Sequence, residues 1–156
     1  MPIPDIEDIV QRIDLAQSDF HRLVLIVGGV GSGKTALLQR LGGRLEAPMV
    51  NVNLTLSQML LEVPSGRRAL QVSRSVSQIL SGLEASCVIL DNTEMLFHRD
   101  LHTDPMKLFR NLSRNRMLVV GWSGSVDDDG ALTYASPGWP EYRKYPAASG
   151  AITVQL

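Results

Sequence analysis

Cysteine is nearly absent: Cys87 is the one thiol in the chain, so no internal disulfide can form. It lies in an apolar run, where a buried core role in a reducing compartment is expected. Long apolar runs are also missing. None approaches the roughly 18 residues of a membrane span, and the acidic start from Met1 to Asp8 lacks the basic-then-apolar order of a secretion signal. A cytoplasmic protein without membrane contact is the expectation. Neither sign of charge is in excess: 15 basic residues face 16 acidic ones for a net −1, which gives no long-range pull toward nucleic acid. Local basic patches exist at Arg67, Arg68 and Arg74 and at Arg110, Arg114 and Arg116, but aromatics are scarce and the patches read as having none interleaved. Direct nucleic-acid binding is therefore possible but not indicated, and solvated helix faces are the expected reading. With 156 residues and no repeat or low-complexity run, residues 1–156 are expected to form one domain around a single sheet, with a helix in residues 1–20 packed on the core.

What is present centres on Gly28-Gly29-Val30-Gly31-Ser32-Gly33-Lys34-Thr35, which fits GxxxxGK(S/T). Before it, Leu23 to Val27 is an apolar, β-branched run of strand length, and after it Ala36 to Leu41 has helical composition. This is the context of a phosphate-binding P-loop. Backbone N–H groups wrap a multiply charged phosphate only where side chains do not intervene, so the glycines at 28, 29, 31 and 33 keep the loop bare. The following helix aims its free N–H groups and positive dipole end at the same anion. The nucleotide-binding stretch is thus Gly28 through Ala36, with Lys34 reaching the β- and γ-phosphates of ATP and the Thr35 hydroxyl a ligand of Mg²⁺.

Along the chain, Asp5 is placed to cap a helix presenting Ile6, Ile9, Val10, Ile13 and Ala16 at helical spacing. Gly42-Gly43 is read as the end of the helix after the loop, residues 48–54 as a second strand, and 57–63 as a short helix stopped by Pro64. Residues 65–68 read as a loop, and Ser73 as the cap of the next helix. Cys87 to Asp91 is a buried-type strand ending in an acid, a Walker B pattern that makes Asp91 an Mg²⁺ residue. Asp104 and Pro105 start a helix expected to end near Asn115; Met117 to Gly121 is a fourth strand, 127–150 a long loop, and 151–156 a last strand.

This order resembles a minimal AAA+ or STAND-like core: an α/β, three-layer P-loop NTPase fold with a five-stranded parallel sheet of the additional-strand class and no C-terminal lid. Such ATPases insert a strand between the P-loop strand and the Walker B strand, and residues 48–54 are the candidate. The resemblance also implies a γ-phosphate sensor at Ser123 and an arginine finger toward a neighbouring subunit at Arg143, in the loop before the last strand. Arg114 and Arg116 fall at the opposite edge if the sheet is parallel. To orient the attacking water, the chain offers Asn92 directly after Asp91, or Glu94 from the following loop; only the carboxylate can also accept a proton. Leu90-Asp91-Asn92-Thr93-Glu94-Met95-Leu96 is similar to the LDNxExL form of some STAND-type ATPases.

The whole chain further resembles a small family, the BrxF-like P-loop proteins of type 3 BREX phage-exclusion systems. The likeness rests on Gly28 to Thr35, Leu90 to Glu94, Leu112-Ser113-Arg114-Asn115-Arg116, Leu132 to Gly138, and Pro140-Glu141-Tyr142-Arg143. It implies a bacterial antiphage component that binds ATP, works with other BREX proteins, and forms a homo-oligomer with ATP as a nucleotide switch. A nucleotide-sensing scaffold with little hydrolysis is the alternative, and a small-molecule P-loop kinase a more distant one.

Overall fold

The computed structural model describes residues 4–147 and 150–156. Asp5 accepts a hydrogen bond from the Glu7 N–H and opens helix α1 (Ile6–Ala16), which buries Ile9, Val10, Ile13 and Ala16 as its spacing predicts. Strand β1 (Leu23–Gly28) is fully buried and runs into the glycine-rich loop and helix α2 (Lys34–Leu45). Gly42 and Gly43 do not end that helix; it continues over both and closes on Glu46 in the left-handed region, with the Glu46 N–H bonded to the Gly42 carbonyl.

The run 48–54 divides. Only Met49–Asn51 forms a strand, β2, because the Asn51 side chain accepts from the Leu54 N–H and starts helix α3 (Val52–Leu60) there. The stretch expected as a loop at 65–68 is a short 3₁₀ turn leading into helix α4 (Arg68–Ser81), so Ser73 lies inside that helix rather than capping it. Strand β3 (Cys87–Asp91) follows, then helix α5 (Pro105–Leu112), capped by Asp104 onto the Lys107 N–H and ended three residues short of Asn115. Strand β4 (Met117–Val126) is twice the expected length. Part of the expected loop 127–150 is a hairpin extension: β5 (Leu132–Tyr134) and β6 (Arg143–Tyr145), before β7 (Ile152–Gln155).

The sheet is ordered β2-β3-β4-β1-β7 with every neighbour parallel, and β5 and β6 add antiparallel to the far end of β4. Among the described residues seven strands are present, not five: the five expected parallel strands plus this hairpin. The strand between β1 and β3 is β4, whereas residues 49–51 form the outer edge, which corrects the assignment of 48–54 as the inserted strand. Gly124 is needed for the hairpin, since a Cβ there would fall on the Thr133 carbonyl of the paired strand.

Helices cover both faces, and alternation along each strand sorts the cores. Leu23, Leu25 and Val27 of β1 face α3, α4 and α5 with Val88, Leu90, Leu118 and Val120, while Val24 and Ile26 face α1 and α2 with Ile89, Val119 and Val154. Cys87 is half-buried against the second core, and burial pushes its thiol up to about 11, so it stays neutral at physiological pH. Among the described residues, no helix is long and apolar enough to cross a membrane.

Candidate functional site

The carboxyl ends of the central strands bring the chemistry-bearing residues to one edge. Register places Gly28 beside Ser123 and Asn51 beside Asp91. The loop between β1 and α2 has the shape its glycines imply. Gly31 (φ +79°) and Gly33 (φ +92°) lie in the left-handed region that side chains resist, and a Cβ on Gly28 would collide with the Ser32 side chain. Val30 stands at the tip, 99% exposed. Helix α2 starts with no side-chain cap and no acid in its first turn, so its leading N–H groups and dipole end are left for an anion.

Lys34 is folded back into this loop. Its Nζ donates to the Gly28 carbonyl (3.0 Å) and the Gly29 carbonyl (3.2 Å), which satisfies an ammonium that is only 9% exposed. The Ser32 hydroxyl is buried with no hydrogen-bond partner among the described residues, so the cradle keeps unused polar capacity. Next to it the Thr35 hydroxyl donates to Asp91 Oδ2 at 2.7 Å, with Asp91 buried at the end of β3. Gly121 on β4 makes room for that acid: a Cβ there would press on Asp91 Oδ1 and Leu38, each at 3.0 Å.

The two residues offered for water orientation are placed differently. Asn92 adopts a left-handed backbone (φ +50°), a conformation Asn tolerates, and its carbonyl accepts from the Asn53 N–H at 2.8 Å. That turn carries the chain around so that Glu94 points back over the strand ends. Glu94 Oε1 accepts from the Ser123 hydroxyl (2.8 Å) and Oε2 from the Asn53 amide (3.1 Å). Asn53 is itself fixed, because its Oδ1 accepts from the Met95 N–H at 2.8 Å. Glu94 and Ser123, proposed for different reasons, are thus one hydrogen-bonded unit. Thr93 is buried, donates to the Gly121 carbonyl at 2.9 Å and ties the β3 turn to β4.

Asn53 was not among the sequence candidates. Its signal was present as a second Asn in an otherwise apolar run, but reading 48–54 as a strand concealed it; an Asn that caps a helix puts a second polar residue two positions on into the first helical turn.

Arg143 lies on β6, paired with Tyr134, rather than in an open loop. Its Nε is buried and has no hydrogen-bond partner among the described residues, so part of its guanidinium lacks an acceptor. Around it, Phe97 stacks on Tyr134 at 3.6 Å and meets Trp122 edge-on at 5.0 Å, packing the hairpin over the end of β4. Burial raises the Tyr134 hydroxyl to about 12, helped by the Glu94 and Glu141 carboxylates. Arg114 and Arg116 fall at the other edge, as the helix direction implies: the Arg22 N–H, just before β1, bonds the Ser113 carbonyl at 3.0 Å.

Among the described residues no three His, Cys, Asp or Glu gather to form a cation cage. The pair Thr35 and Asp91 suits a hard divalent ion that arrives with most of its oxygen ligands supplied by phosphate and water. No protein-family model and no curated protein matches the chain.

Proposed function

We propose that the chain binds ATP with Mg²⁺ on the loop from Gly28 to Ala36 and hydrolyses it slowly, as an AAA+/STAND-like P-loop ATPase of the additional-strand class. The observation that carries this reading is the convergence of Lys34, Thr35, Asp91, Glu94 and Ser123 at the carboxyl ends of β1, β3 and β4, with β4 between the loop strand and the acid strand. On this reading Lys34 exchanges the Gly28 and Gly29 carbonyls for phosphate oxygens, so an ammonium that is already desolvated gains a stronger acceptor. Thr35 and Asp91 would hold Mg²⁺, which when bound neutralises charge building on the transferred phosphate. Glu94 is the proton acceptor for the attacking water.

The held position of Glu94 gives weight to the scaffold alternative as well. Both its oxygens are occupied by donors from Asn53 and Ser123, so the carboxylate must release one of them before it can receive a proton from water. Low basal turnover follows, with binding preserved. The motifs shared with BrxF-like proteins support a place in a bacterial phage-defence system in the cytoplasm, with other BREX proteins and further copies of the chain as partners.

Titration with Mg-ATP tests the site. Lys34→Ala removes a charge-assisted contact of about 1.5–3 kcal/mol and is expected to weaken binding about 10- to 150-fold. Unchanged affinity in a folded variant would place the nucleotide elsewhere. Arg143, with its Nε lacking an acceptor, is the side chain proposed to reach a neighbour's phosphate. Mass in solution with Mg-ATP is expected to rise for the native chain and not for Arg143→Ala; equal masses for both would remove Arg143 from that role.

A further inference from the structure

The edge of the sheet opposite the loop gathers a second cluster. Phe20, on the turn before β1, is 69% exposed despite its size. The Arg114 guanidinium lies over its ring at 4.9 Å, and the His21 ring stands perpendicular to it at 4.8 Å. Arg22 donates from its guanidinium to the Arg114 carbonyl at 2.7 Å, and His21 donates from Nδ1 to the Arg110 carbonyl at 2.9 Å, so residues 20–22 are fastened to the end of α5. A groove of about 600 Å³ opens here between Phe20, Arg22 and Arg114, with Gln17, Asn111 and Asn115 along it.

Two features give this groove a chemistry. Its cations are unneutralised: the ion pairs found among the described residues are Arg44–Glu7, His98–Asp100 and Lys144–Asp127, neither Arg22 nor Arg114 taking part in them. Asp19 is the one acid lining the groove, while Asp127-Asp128-Asp129 lie on the turn beyond the far end of β4. The aromatic surface that the arginine patch lacks in sequence comes from Phe20 and His21, some 90 positions away along the chain. A flat exposed ring and guanidinium planes offer stacking surfaces, unpaired arginines offer phosphate ligands, and amide side chains can read the edges of unpaired bases.

We propose that this edge binds single-stranded nucleic acid, with Phe20 and the Arg114 plane as the stacking platform and Arg22 and Arg114 on the phosphates. The site is independent of the nucleotide loop: the six residues of β1 hold the two about 20 Å apart.

Fluorescence anisotropy of a labelled 20-mer of oligothymidine on the full chain tests it. Binding at 50 mM salt is expected, weakening about 7-fold at 200 mM if two phosphates are engaged. Phe20→Ala is expected to lose about 5- to 150-fold, the range for one stacked base. Phe20 is exposed and its loss should leave the core intact, which a thermal melt on the same sample checks. Arg114→Glu is expected to weaken binding and flatten the salt slope, and Lys34→Ala to leave binding unchanged. An oligouridine arm assigns the sugar, and preference for either single strand over duplex supports the site. No binding at 50 mM salt, binding indifferent to both Phe20→Ala and Arg114→Glu, or equal binding of duplex DNA or polyglutamate overturns it.

Discussion

Glu94→Gln is expected to lower steady-state ATP turnover by about 10²- to 10⁴-fold, the contribution of a positioned general base, while nucleotide affinity stays within about threefold of the native chain. The substitution is well suited to the geometry. Glu94 receives one hydrogen bond from a hydroxyl and one from an amide. A glutamine can turn its carbonyl toward the Asn53 amide and its N–H toward Ser123, whose hydroxyl rotates from donor to acceptor. Packing and folding should therefore survive, and what disappears is the capacity to take a proton. Single-turnover measurement beside a binding titration separates the two effects. A variant that keeps more than about a tenth of native turnover would remove Glu94 as the base. A native chain that binds nucleotide and shows no turnover for the variant to lose would favour the scaffold reading, with Glu94 locked between Asn53 and Ser123.

What could be read from the sequence was what local chemistry decides. The loop glycines, Lys34 and Thr35 needed only their own spacing and flanks. Asp91 needed the apolar run before it together with a P-loop upstream, and the Asp5 and Asp104 caps needed only the residues just after them. The errors arose where one local signal competed with another or where the answer lay across the chain. Residues 48–54 have strand composition, but Asn51 caps α3 and the helix takes over at Val52. Gly42-Gly43 looks like a helix stop, yet α2 packs against the sheet through Leu37, Leu38 and Leu41 and carries on past both. Which strand lies between β1 and β3 cannot be read from order along the chain, because β4 comes later than both and enters between them. The link from Glu94 to Ser123 spans 29 positions and that from Phe20 to Arg114 spans 94, so neither has a sequence signature of its own.

Trp122→Ala is expected to cost about 3–5 kcal/mol, among the largest effects any single side chain here should show. Trp122 is the bulkiest of the fully buried side chains, at 0% exposure, and it anchors the hairpin in two ways. Its ring meets Phe97 at 5.0 Å, Tyr134 at 6.2 Å and Tyr145 at 5.7 Å, all edge-on, and its Nε1–H donates to the Thr133 carbonyl at 3.0 Å. Truncation leaves a cavity between β4 and the β5–β6 hairpin and strips the half-buried Thr133 carbonyl of this donor. At about 2–4 °C per kcal/mol for a chain of this size, the melting midpoint should fall by roughly 6–20 °C. Trp122→Phe restores part of the ring packing but not the N–H, so it should fall between the two and apportion packing against hydrogen bond. A midpoint shift under about 2 °C for Trp122→Ala would mean that the hairpin is not held by this cluster. The loss should also reach the site. Ser123 follows Trp122 on β4 and holds Glu94 Oε1, and Arg143 rides on the strand that the cluster fastens down. Below its lowered midpoint the folded variant should still bind Mg-ATP through the loop, while the Glu94 contact and the assembly proposed for Arg143 weaken together. That pairing would connect the stability of the aromatic cluster to turnover rather than to nucleotide affinity.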